Sequence, residues 1–215
     1  MIRPQPNNNP SDGPSDDFRV QNDVFEKMKE EIRVFKGLGV RGFVFGILKD
    51  DDLHPHDHDH PHKEDSQDKK GSLIIDQERC RELLKIAREG NDGEKVRCTF
   101  HRAFDRIEKE RMGEQLEVLI NLSFTSLLTS GGSPTSVQGK AQIRKLVEQA
   151  AGRIEIIVGG GVRSHNINEL IDETGAQWFH SSAVTGEGEE VDGEEVRKLR
   201  AIMCTQGVDP VGNLQ

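Results

Sequence analysis

The sequence predicts an α/β protein built on a parallel sheet, and three observations carry that prediction. Short β-branched or apolar runs alternate with stretches of helical hydrophobic periodicity along the chain. The connections are short except at residues 5–17 and 49–71. Polar clusters recur just after the runs read as strands: Arg3, His101 to Asp105, Thr129 to Gly132, Gly159 to Gly161 and His180 to Ser182. The C-terminal ends of parallel strands are where α/β folds place their sites.

Met1-Ile2-Arg3-Pro4 reads as the last residues of a strand. The loop from Gln5 to Asp17, rich in Asn, Asp, Ser and Pro, needs no fixed structure. A helix starts near Asn22, a permissible N-cap, with Val24, Met28, Ile32 and Phe35 at helical spacing, and Gly37 and Gly39 end it. Gly42 to Ile47 is a continuous apolar run, too short for a helix and right for a strand buried on both faces. An acidic, histidine-rich segment covers Lys49 to Gly71, and Asp76 then caps a helix carrying Cys80, Leu83, Leu84 and Ala87. Val96 to Phe100 is the next strand; His101, Arg102 and Asp105 stand at its end, before a helix with Met112, Leu116, Leu119 and Ile120 on one face.

Thr125 to Leu128 forms a strand ending in Thr129-Ser130-Gly131-Gly132, and Ile143, Leu146, Val147 and Ala150 mark the helix after it. Arg153 to Val158 is a buried strand closed by Gly159-Gly160-Gly161. Ser164 caps the following helix, with Ile167, Leu170, Ile171 and Thr174 along one face. Gln177 to His180 is the sixth strand, residues 185–193 form a loop, and Asp192 with Glu195 makes a capping box for the last helix.

Repeated βα units of this spacing predict a TIM-type (β/α)8 barrel, whose loops after the strands build one mouth. An open doubly wound sheet is the alternative, but no GxGxxG follows any strand. Six units are found where the barrel needs eight, and the chain opens at the end of a strand, so an N-terminally incomplete barrel is expected. One domain over residues 1–203 is expected, with 49–71 inserted as a His/Asp-rich loop and 204–215 a flexible tail.

The 215 residues are 33% hydrophobic, enough for one domain with a real core. Acidic residues outnumber basic ones by 38 to 29, a net charge of −9, which argues against nucleic acid or an anionic membrane surface as partner. No apolar run approaches transmembrane length, and the polar N-terminus is unlike a signal peptide. Cys80, Cys98 and Cys204 are far apart and form no CxxC pair, so they read as reduced thiols and the expected compartment is cytoplasmic.

The chain resembles the CutC copper homeostasis family, which are TIM barrels. The resemblance runs through Met1 to Pro4, Asp17-Phe18, Val44-Phe45-Gly46, Thr99 to Asp105, Leu128 to Gly131, Gly159 to Val162 and Phe179 to Ala183, in the family's order over roughly residues 1–200. It implies that the strands are the third to the eighth of the barrel. The family's first two βα units, with the cysteines usually taken as copper ligands, have no counterpart, and a truncated gene model or shortened isoform is expected. Gln5 stands where the family has a second arginine, Val158 replaces a proline, and Ser181 replaces glycine or cysteine. Cytosolic copper handling is the function implied, with copper as ligand and self-association as a weaker inheritance.

The residues themselves also suggest chemistry. Gly159-Gly160-Gly161, with Ser164 at a helix start, offers bare backbone N–H groups as an anion cradle. In the family register it follows the seventh strand and His180-Ser181-Ser182 the eighth, the usual phosphate position of TIM barrels. Arg3 and Arg102 are candidates to bind the same anion, and Thr129, Ser130 and Ser182 to donate hydroxyls to it. His101 and His180 are candidate acid and base, with Asp105 orienting or accepting a proton. His54, His56, His58, His60 and His62 alternate with Pro and Asp, a spacing that sets all five imidazoles on one side of an extended chain. Such donors suit Cu(II), Zn or Ni better than Cu(I). The alternatives to copper handling are an enzyme acting on a small phosphorylated or carboxylated substrate, and an inactive fragment with uncovered sheet edges.

Overall fold

The structure, a computed structural model, describes Ile2 and residues 18–51, 72–90 and 96–205. Helix α1 (Asn22–Gly37) buries Phe25, Met28 and Ile32, spaced three and four residues apart. The expected stripe is rotated: Phe25 takes the inner position, and Phe35 at its far end is 41% exposed. Gln21 is the N-cap, without a side-chain bond, so Asn22 opens the helix instead of capping it.

Strand β1 (Gly42–Phe45) is followed by β2 (Leu48–Asp50) and β3 (Leu73–Ile75), an antiparallel ribbon with Leu48 opposite Ile75. Lys49 and Asp50, assigned to the loop from sequence, are therefore strand. At its tip the Asp51 N–H donates to the Ser72 carbonyl at 2.9 Å, and Arg111 Nη1 lies 2.6 Å from the Asp51 carboxylate, whose side chain is 2% exposed. The five-histidine stretch falls in 52–71, outside the described residues.

Asp76 accepts from the Arg79 N–H at 3.1 Å and caps α2 (Gln77–Arg88), which buries Cys80, Leu83, Leu84 and Ala87 as its periodicity requires. After β4 (Arg97–Phe100), two short 3-10 turns, Arg102–Arg106 and Lys109–Arg111, lead into α3 (Met112–Asn121). The remaining elements are β5 (Ser126–Thr129), α4 (Ser136–Ala150), β6 (Glu155–Val158), α5 (Ile167–Thr174), β7 (Trp178–Phe179) and α6 (Gly193–Thr205). The last helix thus includes Cys204.

Five strands form one sheet in the order β1-β4-β5-β6-β7, every pairing parallel. The Ile2 N–H donates to the Val44 carbonyl at 2.8 Å and lays Ile2 beside β1, where the sequence reading puts a strand end. This is the α/β, TIM-type architecture that the sequence predicts, with each strand delivering its last residue to one side. Register sets Phe45, Phe100, Leu127 and Ile156 in one row, all buried, while Val44, Thr99, Ser126 and Glu155 form the row on the other face. Apart from Val44 that second row is polar: Thr99 Oγ1 lies 2.7 Å from Ser126 Oγ, and Arg97 bonds Glu155.

Two predicted caps differ. Helix α5 begins at Ile167 with Asn166 as N-cap, so Ser164 does not cap it. Asp192 accepts from the N–H groups of Glu194 and Glu195 at 2.8 and 3.3 Å, but Glu195 does not reach back to complete a capping box. Its carboxylate instead takes the Ser164 N–H at 2.6 Å and the Ser164 hydroxyl at 2.7 Å.

Helix α4 touches the loop after β5 at Gly139, where a Cβ would stand 1.8 Å from the Ser130 carbonyl oxygen. In an open helix, Gly→Ala gains about 1 kcal/mol. Here the overlap with backbone reverses the sign, and Gly139→Ala is expected to lower stability by about 2 kcal/mol in urea unfolding. A raised midpoint would contradict this contact.

Candidate functional site

The site begins where β4 ends. His101 is 4% exposed, and its Nδ1 accepts the Ala103 N–H at 3.2 Å, which caps the first 3-10 turn and leaves the proton of the neutral ring on Nε2. The ring packs against Phe18 (centroids 5.1 Å, 56°) and edge-on to Phe100 (6.1 Å, 67°). Gly46 makes the position possible, since a Cβ there would lie 2.8 Å from His101 Nδ1 and 3.0 Å from the Phe100 ring.

Asp105 follows on the same turn, and its carboxylate is the most heavily bonded group nearby. Oδ1 accepts from the Thr129 hydroxyl (2.5 Å), the Ser130 N–H (3.0 Å) and the Gly132 N–H (3.1 Å). Oδ2 accepts from Arg102 Nε (2.8 Å) and the Ser130 hydroxyl (2.9 Å). With its side chain 8% exposed, Asp105 ties the end of β4 to the end of β5 and orients Arg102. Its acceptor positions are filled by protein donors, so it braces the site and is not placed to take a proton from a ligand. Thr129 and Ser130, read as hydroxyl donors to a ligand, are fully buried and face Asp105 instead.

Arg102 is thereby aimed. Nε goes to Asp105 and Nη2 to Ser130 Oγ at 2.8 Å, while Nη1 has no acceptor among the described residues. Gly160, at φ +96°, lies against it: a Cβ there would stand 3.2 Å from Arg102 Cζ and 3.0 Å from Ser130 Cβ. Gly161 follows at φ +84°. Neither N–H has an acceptor among the described residues, so both remain open to an acceptor in the cleft that the two glycines line. The helix behind adds little, because the Asn166 and Ile167 N–H groups already donate to the Arg163 carbonyl.

Arg163, which the sequence reading passed over, joins the last two loops. Nη1 donates to the Val162 carbonyl (2.7 Å) and Ser181 Oγ (3.2 Å); Nη2 donates to Ser182 Oγ (3.2 Å) and the Val184 carbonyl (2.7 Å). All four acceptors are neutral. The Glu195 carboxyl behind it is held below the usual range by its two bonds from Ser164 and by the Arg163 charge, which outweigh the opposing effect of burial.

These groups line one cleft of about 740 Å³ at the C-terminal ends of the strands. Of the predicted residues, His101, Arg102, Asp105, Gly160, Gly161, His180 and Ser182 line it. Thr129, Ser130 and Gly159 do not; Gly159 packs on Leu128, 2.7 Å from where its Cβ would be. Arg3 and His54, His56, His58, His60 and His62 lie outside the described residues. Phe18, Arg106, Leu128, Gly132, Ser133, Pro134 and Arg163 complete the lining. For Arg163 the signal was its place one residue after Gly159 to Val162.

Metal-ligand chemistry is sparse among the described residues. No group of three or more His, Cys, Asp or Glu there stands close enough to hold a metal ion. Burial pushes the Cys80 thiol up to about 12 and the Cys98 thiol up to about 11, so both stay protonated at neutral pH, whereas Cys204 is exposed. No helix is long and apolar enough to cross a membrane among the described residues.

Comparison with known proteins places this geometry in context. The family model for the CutC family matches residues 67–185. The human copper homeostasis protein cutC homolog is 34% identical over 85% of this chain and 53% of its own length, and the mouse homolog 33% over the same shares. A CutC family protein of Treponema denticola is 37% identical over 74% of this chain and 53% of its own. The chain therefore spans about half the length of the curated relatives it matches. The crystal structure of a CutC protein from Streptococcus agalactiae superposes with a TM-score of 0.63 at 28% identity, covering 84% of this chain and 70% of that one.

Two outcomes follow from the site. Asp105→Ala strands the buried Thr129 hydroxyl and the Ser130 and Gly132 amides, and is expected to cost about 3 kcal/mol or more in urea unfolding. A change under about 0.5 kcal/mol would contradict the bracing role. In the native protein a disulfide reagent at pH 8 should modify Cys204 alone of the three cysteines, and all three after denaturation. Rapid native modification of Cys80 or Cys98 would contradict the burial.

Proposed function

The chain belongs to the CutC family, and on that premise we propose that it acts in copper homeostasis through a cleft that holds a small anionic ligand. The role is the one for which its human, mouse and nematode relatives are named. The anion is supported by one observation above the rest: Arg163 spends its terminal donors on neutral oxygens, so its charge enters the cleft without a bonded carboxylate. Arg102 Nη1 lies against Gly160, 3.3 Å from where a Cβ there would stand. Groups fixed in advance and aimed at one cavity bind an anion with little reorganisation.

Copper does not fit the described residues. The Arg163 guanidinium, bonded only to neutral oxygens, repels a bare cation, and the buried thiols are protonated. The donors of suitable type are His54, His56, His58, His60 and His62 with the intervening aspartates, which match Cu(II) by ligand softness. We assign copper contact to that segment and the anion to the cleft. An acid–base enzyme is the second reading, favoured by His101 and His180 lining the cavity that holds the anion cradle; its substrate is a small phosphorylated or carboxylated compound. A cytoplasmic location and self-association belong to the same proposal.

The test is titration of the full chain, and of a variant lacking residues 53–70 with the β2–β3 ribbon kept, with Cu(I), Cu(II) and inorganic phosphate. The deletion should remove most Cu(II) binding and leave phosphate binding unchanged. Arg163→Ala should weaken phosphate by about tenfold or more, equivalent to ~1.4 kcal/mol, and leave copper unaffected. Tight copper binding that survives the deletion in a folded chain would overturn the assignment of copper. Phosphate that fails to bind would overturn the anion site.

A further inference from the structure

The turn after β6 has its carbonyls spent and its glycine amides unspent. The Gly160 carbonyl accepts twice from Ser136, from its N–H at 2.8 Å and its hydroxyl at 3.0 Å. The Gly161 carbonyl accepts from Asn166 Nδ2 at 2.9 Å, and the Val162 carbonyl from Ser181 Oγ at 2.6 Å and Arg163 Nη1 at 2.7 Å. The Gly160 and Gly161 N–H groups have no acceptor among the described residues, and both glycines line the cleft.

A trans peptide is planar, with its C=O and N–H pointing opposite ways. Fixing the Gly160 carbonyl on Ser136 therefore turns the Gly161 N–H away from the start of α4. This peptide is one that could otherwise rotate. Both residues that flank it are glycines at positive φ, +96° and +84°, where no side chain limits the alternatives. A rotated peptide would present a carbonyl oxygen in place of the N–H, and an anion would meet repulsion instead of a hydrogen bond.

The two side chains that hold the turn have no other hydrogen-bond partner among the described residues. Ser136 is the first residue of α4, where an N–H has no partner inside its own helix, and the capping bond there is made by Thr135 to the Gln138 N–H at 3.3 Å. Asn166 is the N-cap of α5 and of a type that caps well, yet its side chain makes no capping bond. Its amide serves the turn alone: Oδ1 accepts the Arg163 N–H at 2.9 Å and Nδ2 donates to Gly161. Both residues are buried, Ser136 fully.

We propose that Ser136 and Asn166 are the positioning residues of the anion site. Ser136 fixes the peptide that aims the Gly161 N–H into the cleft; Asn166 fixes the next peptide and the backbone of Arg163. Both act through the turn, without touching the ligand. What they supply is preorganisation, so that binding need not select one peptide orientation from several. The inference rests on the anionic-ligand reading above and adds the residues that hold its backbone donors.

Calorimetry with inorganic phosphate on the full chain, on Ser136→Ala and on Asn166→Ala tests this, with urea unfolding of each alongside. Affinity should fall at least about threefold in Ser136→Ala, whose backbone N–H still reaches Gly160, and at least about tenfold in Asn166→Ala, which releases both Gly161 and Arg163. In the unmodified chain phosphate should move the Gly161 amide resonance, and in both variants that response should shrink. Folded variants that bind phosphate as tightly as the unmodified chain overturn the inference while the anion site stands, whatever their urea midpoints. Phosphate that binds the unmodified chain without moving the Gly161 amide also overturns it, and decides the matter where a variant fails to fold. An unmodified chain that binds no phosphate overturns the anion site and this inference together.

Discussion

The carboxylate of Asp105 is the constraint on which the mouth of the sheet depends. Five protein donors converge on its two oxygens, from Arg102, the Thr129 hydroxyl, both polar groups of Ser130 and the Gly132 amide. Burying a charge is costly unless hydrogen bonds replace its water, and this one is fully compensated. The same bonds turn the chain sharply after β5, which is why glycines follow at 131 and 132, both at positive φ. They also hold one edge of the Arg102 guanidinium, which leaves the other edge for the cleft. In the proposed reading a ligand at this rim meets Asp105 at one remove, through the arginine it positions.

The opposite wall is built with neutral partners. Arg163 stitches the β6 and β7 loops through carbonyls and hydroxyls, and α6 backs both loops: Glu195 holds Ser164, and the Asp192 N–H reaches the Ala183 carbonyl at 2.8 Å. One wall fixes its charge with an acid and the other fixes it without one. In the proposed reading these two arginines favour an anion over a cation, which separates the cleft from the copper chemistry attached to the family's name. In this account the histidine-rich segment and the cleft serve different ligands of one protein.

The fold was legible because its signals are local and repeated. Periodicity at Cys80, Leu83, Leu84 and Ala87, the cap at Asp76, and the apolar runs at β4, β5 and β6 need no long-range knowledge. Misplaced details were those decided by distant partners. Lys49 and Asp50 become strand only because Leu73 to Ile75 lies opposite them, and Glu195 abandons its capping box for Ser164. At the site, residue type located the rim but not direction. Thr129 and Ser130 look like ligand donors until Asp105 is seen to claim them, and Arg163 looks like a surface arginine until Ser181 and Ser182 are seen beside it. Phe18 entered only through the resemblance at Asp17-Phe18, since a left-handed φ at a phenylalanine is invisible in sequence.

The central claim is that the cleft is an anion site whose floor is the glycine turn after β6. Backbone amide shifts on titrating the isotopically labelled chain with inorganic phosphate test it most directly. The account predicts that Gly160 and Gly161 move furthest and saturate together, with Ser182 next. Largest shifts elsewhere, at lysines remote from the strand ends or within residues 52–71, would contradict it.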